Sequence, residues 1–274
     1  MKTGRADQTG TARTDRLTKM DFFSFIRETA SNPLLAVTVV LTLGVILVNG
    51  WTDAPNAIAT AVSTRAISIR AAIMLASVMN FLGVFVMTLI SSTVAETIFN
   101  MVDFGQDTHS SIIALCAAMF AIVVWATAAS RLGIPTSESH ALIAGLSGAA
   151  IAIHGSFAGI NGSEWIKVIY GLALSSILGF FSGFVTARLI SSIFRGRDRR
   201  NVAYGFRKAQ IGAAAGMAFM HGAQDGQKFM AVFMIGIFLN RGQTNTGSFT
   251  VPIWMMVICS LVMALGTSVG GYRI

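Results

Sequence analysis

Long apolar segments recur along the chain and alternate with short polar ones. Windows of about 20 apolar residues, the length that crosses a bilayer, are Leu34 to Ser63, Ala71 to Ser91, Ile112 to Ala129, Pro135 to Ile153, Ile166 to Ile193, Ile211 to Leu239 and Val251 to Ser268. The first and sixth windows contain polar motifs, at which we expect the helix to break. The pattern predicts an all-α polytopic membrane protein.

Composition supports that class and excludes others. Hydrophobic residues make up 54% of the chain and charged residues only 12%, against about 25% in soluble domains. The net charge of +8 comes from basic residues in the N-terminal tail and in loops, so we expect no nucleic-acid partner. Both cysteines, Cys116 and Cys259, fall inside apolar segments, which does not favour a disulfide framework.

A polar motif occurs twice, each time inside an apolar window. NGWTDAPNAIAT, residues 49–60, is repeated degenerately as HGAQDGQKFMAV, residues 221–232, and Asp53 matches Asp225 at a constant offset of 172. A charged side chain at mid-membrane costs about 2.5–3.5 kcal/mol on insertion scales, and such residues are usually functional. The repeat therefore predicts a pair of related halves with a polar site between them.

Loop charges give the expected topology. The basic segment 195–208 contains one acid, Asp198, and is placed in the cytoplasm, whereas residues 91–110 carry acids and no Lys or Arg and are placed outside. Five crossings per repeat is an odd number, so the repeats are expected to be inverted; a re-entrant first segment would instead make them parallel. The expected divisions are a polar tail (1–33), a first transmembrane repeat of about five spans (34–194), a basic cytoplasmic loop (195–208) and a partial second repeat (209–274).

A third polar segment, GIPTSESHAL at residues 133–142, predicts an anion cradle. Pro135 can start a helix there, and free amides and hydroxyls at a helix N-terminus suit an oxyanion. The carboxylates cannot attract an anion, so we assign them to a coupling cation, either a proton or sodium: Asp53, Glu138 and Asp225. The expected substrate-binding residues are Asn56, Thr136, Ser137, Ser139, Gln224 and Lys228. Symport of anion and cation is the expected activity.

These motifs resemble those of the inorganic phosphate transporters of the PiT type, in their bacterial low-affinity form. NGWTDAPNAIATAVSTRA, PTSESHALIAG and MHGAQDGQK carry the resemblance, which runs from about Leu34 to Ile274. It implies phosphate uptake across the plasma membrane, in some members as a metal-phosphate complex and often by a homodimer. Its motif positions here are Asp53, Asn56, Ser137, Ser139, His140, Asp225 and Lys228. His140 and His221 are expected to contact a proton or the substrate.

Two residues depart from the family pattern, and several alternatives stay open. Gln224 stands where Asn is common, and Glu138 where Thr or Asn is common. A sulfate permease of the same family and a passive anion channel are the alternative functions, and an enzyme is disfavoured. No cofactor and no resident metal are expected, because no His/Cys spacing resembles a metal site. A second PTSESH copy is expected near position 307, so we expect the second repeat to be truncated.

Overall fold

The computed structural model describes residues 21–134, 136–242 and 250–273. Across these ranges the chain is helical, and an isolated bridge between Val102 and Ile160 is the only β pairing. The α-helices are α1 Phe22–Ser31, α2 Pro33–Ser63, α3 Ile69–Ile90, α4 Thr93–Phe99, α5 Thr108–Leu132, α6 Glu138–His154, α7 Gly162–Ile193, α8 Arg199–Asn240 and α9 Ile253–Gly270. The all-α prediction is confirmed.

Helices of membrane-spanning length occur at the predicted windows. By length and apolar composition, the described helices that qualify are α2, α3, α5, α7 and α9. Helix α8 is longer still, with 42 residues, and α6 has 17. From Ile169 to its end, helix α7 exposes its apolar side chains, as expected of a membrane-spanning helix surrounded by lipid.

Helices α2 and α8, which carry the two motif copies, run antiparallel. Asn32, before α2, bonds to Asn240 at the end of α8, while Thr64, after α2, bonds to Gln210 near the start of α8. Two copies of one motif on antiparallel helices have inverted topology, as predicted. The alternative of a re-entrant first segment with parallel repeats is wrong.

The expected helix breaks do not occur. Helix α2 continues through Pro55, and α8 continues through the second motif. The polar side chains find partners on one another across the two helices, as when Asn49 donates to both Asp53 and Asp225. Unwound backbone is therefore not needed to satisfy them, and the prediction of broken helices is wrong for both windows.

Helices α5 and α6 form a hairpin, although separate crossings were predicted. Their outer ends meet at the acidic face, which we define as residues 91–107, where His154 donates to the carbonyl of Asp103. The hairpin tip stops beside Thr52, whose hydroxyl donates to Glu138 at 2.8 Å. Helix α2 continues past that level for about three more turns. The tip stops there because its polar groups have their partners at that depth.

Two predicted boundaries also change. Part of the polar tail forms helix α1, in which Phe25 is buried and stacks on Trp254 at 4.7 Å between ring centroids. The basic loop is mostly helix, because α8 already begins at Arg199, capped by the Asp198 side chain. The rest of the tail, residues 1–20, lies outside the described residues.

Candidate functional site

Glycines let the helix backbones around the motifs approach closely. Helices α3 and α8 cross where a Cβ added to Gly83 would overlap the carbonyl oxygen of Phe219, and one added to Gly222 would overlap that of Asn80. Gly50 contacts the α9 backbone in the same way. This packing of small residues is typical of membrane helices, and it brings polar side chains of α2, α3, α6 and α8 into one cluster.

Asp225 of α8 is the centre of that cluster. Its Oδ1 accepts hydrogen bonds from Lys228 Nζ at 2.8 Å and from Ser139 Oγ at 3.1 Å. Lys228 Nζ also donates to Ser139 Oγ at 2.7 Å, so these three residues are mutual neighbours. The side chains of Lys228 and Asp225 are only 20% and 12% exposed. The tip of the hairpin is thereby joined to α8 by the hydrogen bonds of Ser139 to two charged side chains.

Asp53 of α2 joins the same cluster through His221. His221 Nε2 lies 3.3 Å from Asp53 Oδ2 and 3.5 Å from Asp225 Oδ2. Its Nδ1 lies 3.0 Å from Asn80 Oδ1, and the Asn80 amide nitrogen donates to Thr267. Both ring nitrogens therefore face oxygen atoms, and both can donate only in the doubly protonated imidazolium, which is how we interpret His221. In that form, His221 and Lys228 balance the charges of Asp53 and Asp225.

Glu138 is the third carboxyl of the cluster and the most deeply placed. It is 2% exposed and begins helix α6, for which Ser137 is the N-cap. Its Oε1 accepts the hydrogen bond from Thr52, and its Oε2 is buried with no hydrogen-bond partner among the described residues. The Asp53 carboxyl is its acidic neighbour. None of the ion pairs within the described ranges involves Glu138.

The other predicted site residues lie around this cluster with fewer contacts to it. Asn56 donates to Asp53 at 3.3 Å. Thr136 accepts from Trp125 at 2.8 Å. His140 is exposed and donates its backbone N–H to the Ser137 side chain, and Gln224 is also exposed. Pro135 lies outside the described residues. The structure brings Asp53, Glu138, Ser139, His221, Asp225 and Lys228 together and leaves Thr136, Ser137, His140 and Gln224 at the edge.

Sequence reasoning missed four polar residues that support the cluster, of which Thr52 donates to Glu138. Asn49 is fully buried and bridges the two motif carboxylates. Asn80 and Thr267, both buried, link His221 to α9. Asn49 stands at the first position of the repeated motif, and Asn80 is the only amide in the apolar window 71–91. An isolated amide in such a window is the signal that identifies this kind of residue.

Asp53, His221 and Asp225 also present ligand atoms within 4.8 Å of one another. A histidine must be neutral to bind a metal ion, whereas both nitrogens of His221 face acceptors. We therefore interpret this group as an ion-paired network. The absence of a resident metal stays a prediction.

With this geometry in view, similarity to known proteins decides the family. A model of the phosphate transporter family matches residues 49–274. The chain belongs to this family. The prediction from the three motifs is confirmed. Several apolar helices of membrane-spanning length make this member of the family a multi-pass protein of the plasma membrane.

Relatives agree with that assignment, and a solved structure has the same fold. A probable low-affinity inorganic phosphate transporter of Bacillus subtilis is 37% identical over 241 residues, 88% of this chain and 70% of that protein. A relative with the same description from Mycobacterium bovis is 34% identical, and this chain spans 56% of its length. These relatives are named as transporters, which are not enzymes, as predicted. A structure titled "The sodium-dependent phosphate transporter" shares the fold, with a TM-score of 0.73 at 19% identity, covering 89% of this chain and 77% of that one.

Proposed function

We propose that this chain carries inorganic phosphate across the plasma membrane by symport with a cation, either a proton or sodium. The observation that carries the proposal is the contact of Lys228 with Ser139 and Asp225 at the hairpin tip. Membership of the phosphate transporter family supports phosphate as the substrate. Transport as a metal-phosphate complex and assembly as a homodimer stay predictions.

The donors at the hairpin tip suit a tetrahedral oxyanion. The Lys228 ammonium has three N–H donors, of which two are directed to Ser139 and Asp225. The third is available to a phosphate oxygen, and the amides at the start of α6 are oriented toward the same region. The adjoining carboxylate of Asp225 would repel a bare anion. Entry of an anion therefore favours simultaneous entry of positive charge.

Paired carboxylates at mid-membrane favour a carrier over a passive channel. A channel for anions gains nothing from burying Asp53 and Asp225, since each costs free energy in the membrane. A symporter uses such groups to bind the cation that drives accumulation. The discriminating property is therefore uptake against a phosphate gradient.

The test is uptake of labelled phosphate into proteoliposomes, with and without imposed proton and sodium gradients. We expect gradient-driven accumulation that Ser139→Ala reduces and that Asp53→Asn abolishes. Ser175→Ala is the matched control, because Ser175 is exposed on α7 and bonds only to its own helix. Excess sulfate and chelation of divalent metals are added in separate arms.

Each arm has a distinct meaning. If sulfate suppresses the uptake as strongly as unlabelled phosphate does, the site accepts sulfate as well as phosphate. Equilibration without accumulation would favour the channel. Loss of uptake on metal chelation would favour the metal-phosphate complex, and failure to take up labelled phosphate would reject the proposal.

A further inference from the structure

We propose that Glu138 is the residue that carries the coupling proton in this protein. The inference rests on the proposed function, because it places the coupling of that symport on one side chain. It starts from geometry: a carboxyl that is 2% exposed, bonded to one neutral hydroxyl and unpartnered at Oε2.

Charge balance within the cluster singles out this carboxyl. Asp53 and Asp225 face the imidazolium of His221, and Asp225 also faces the ammonium of Lys228. Two carboxylates are thus balanced by two cations. Glu138 is the surplus acid. A buried carboxylate without a cation is strongly disfavoured, and the usual outcome is that it takes up a proton.

The surroundings of Glu138 fit the protonated form. A proton on Oε2 makes that buried atom a hydrogen-bond donor and removes the repulsion between Glu138 and its acidic neighbour, Asp53. The remaining donor, the Thr52 hydroxyl, is neutral. The titratable and charged groups around Glu138 from α2 and α8 are Asp53, His221, Asp225 and Lys228, and the exposed Arg131 at the end of α5 lies beside Thr52. On α6 itself, His140 is exposed and lies beside Trp125.

The position of Glu138 connects this proton to the substrate. Its neighbour in the chain, Ser139, contacts Lys228 and Asp225. When phosphate binds beside them, a neutral Glu138 avoids a further repulsion, whereas an ionised one adds to it. Binding of the anion and retention of the proton therefore favour each other, which is the linkage that symport needs.

The test separates exchange from accumulation. In proteoliposomes, Glu138→Gln, which cannot release a proton, should lose accumulation driven by a pH gradient, whereas Glu138→Asp, which can, should keep it. Exchange of internal for external phosphate is measured beside accumulation as the readout of substrate binding. For the unmodified chain one proton per phosphate gives about tenfold accumulation for a gradient of one pH unit. Glu164→Gln is the control, since Glu164 is also buried but pairs with Lys167 away from the cluster.

The outcomes distinguish this inference from the proposed function. If the unmodified chain exchanges phosphate but accumulates it only with a sodium gradient, or if Glu138→Gln still accumulates it with a pH gradient, the inference is overturned and phosphate transport stands. If the unmodified chain exchanges no phosphate, the proposed function itself fails. If Glu138→Gln exchanges nothing, Glu138→Asp decides: accumulation driven by the pH gradient supports the inference, and its absence overturns it. The Glu164→Gln control experiences the same pH gradient, so it shows how much of any change comes from the ionisation of phosphate itself.

Discussion

Replacing Lys228 by Met tests the ion pair with Asp225 on α8, both members of which also bond to Ser139 of the hairpin tip. The change removes a cation 2.8 Å from Asp225, in a pair whose side chains are 20% and 12% exposed. Breaking a buried pair from one side costs about 3–5 kcal/mol, because a charge stays buried without its partner. We therefore expect a loss of this size in the free energy of unfolding. Asp225→Asn in the same protein should restore a large part of it.

The assay is a double-mutant cycle measured by unfolding in mixed detergent. Lys208→Met is the matched control, because Lys208 is exposed on the same helix and its ammonium lies over the exposed Tyr204 ring, with no carboxylate partner among the described residues. An exposed cation–π contact contributes about 0.5–1 kcal/mol, so this control should lose little stability. The reasoning is refuted if Lys228→Met costs no more than Lys208→Met. It is equally refuted if the costs of Lys228→Met and Asp225→Asn add within about 0.5 kcal/mol.

Two further changes test the packing and a helix cap. Gly83→Ala should lower the free energy of unfolding by about 1–3 kcal/mol, because the new Cβ overlaps the Phe219 carbonyl. Gly179→Ala is the control, because its new Cβ meets open space and should cost no stability. Equal melting temperatures of the two variants in detergent would contradict the helix crossing. The Ser110 hydroxyl and backbone N–H hold the pKa of Asp107 below its ordinary value of 3.8. The stability that the ionised Asp107 cap contributes is therefore fully present above that value, and it is lost as the pH falls through the lower pKa that Asp107 has in the folded protein. Asp107→Asn should melt earlier at neutral pH and match the parent in strong acid; a difference independent of pH would contradict this.

The sequence predicts the motif pair better than it predicts the path of the chain. Asp53 and Asp225 were identifiable because a charge in an apolar window is costly and the motif recurs. The α5–α6 hairpin was not predicted, since its windows are as apolar as those of crossing helices. Where such a hairpin stops depends on partners from distant segments, here Thr52 and Asp225. The continuity of α2 through Pro55 depends on tertiary contacts for the same reason.

The central claim is that phosphate binds at the hairpin tip, between α6 and α8. The most direct measurement is a crystal structure with arsenate, a heavier oxyanion of the same shape, located by its anomalous signal. The account predicts one arsenate with oxygens about 2.7–3.2 Å from Ser139 Oγ and Lys228 Nζ, and its absence when Lys228 is replaced by Met. Arsenate bound elsewhere in the membrane region, with this position empty, would contradict the account.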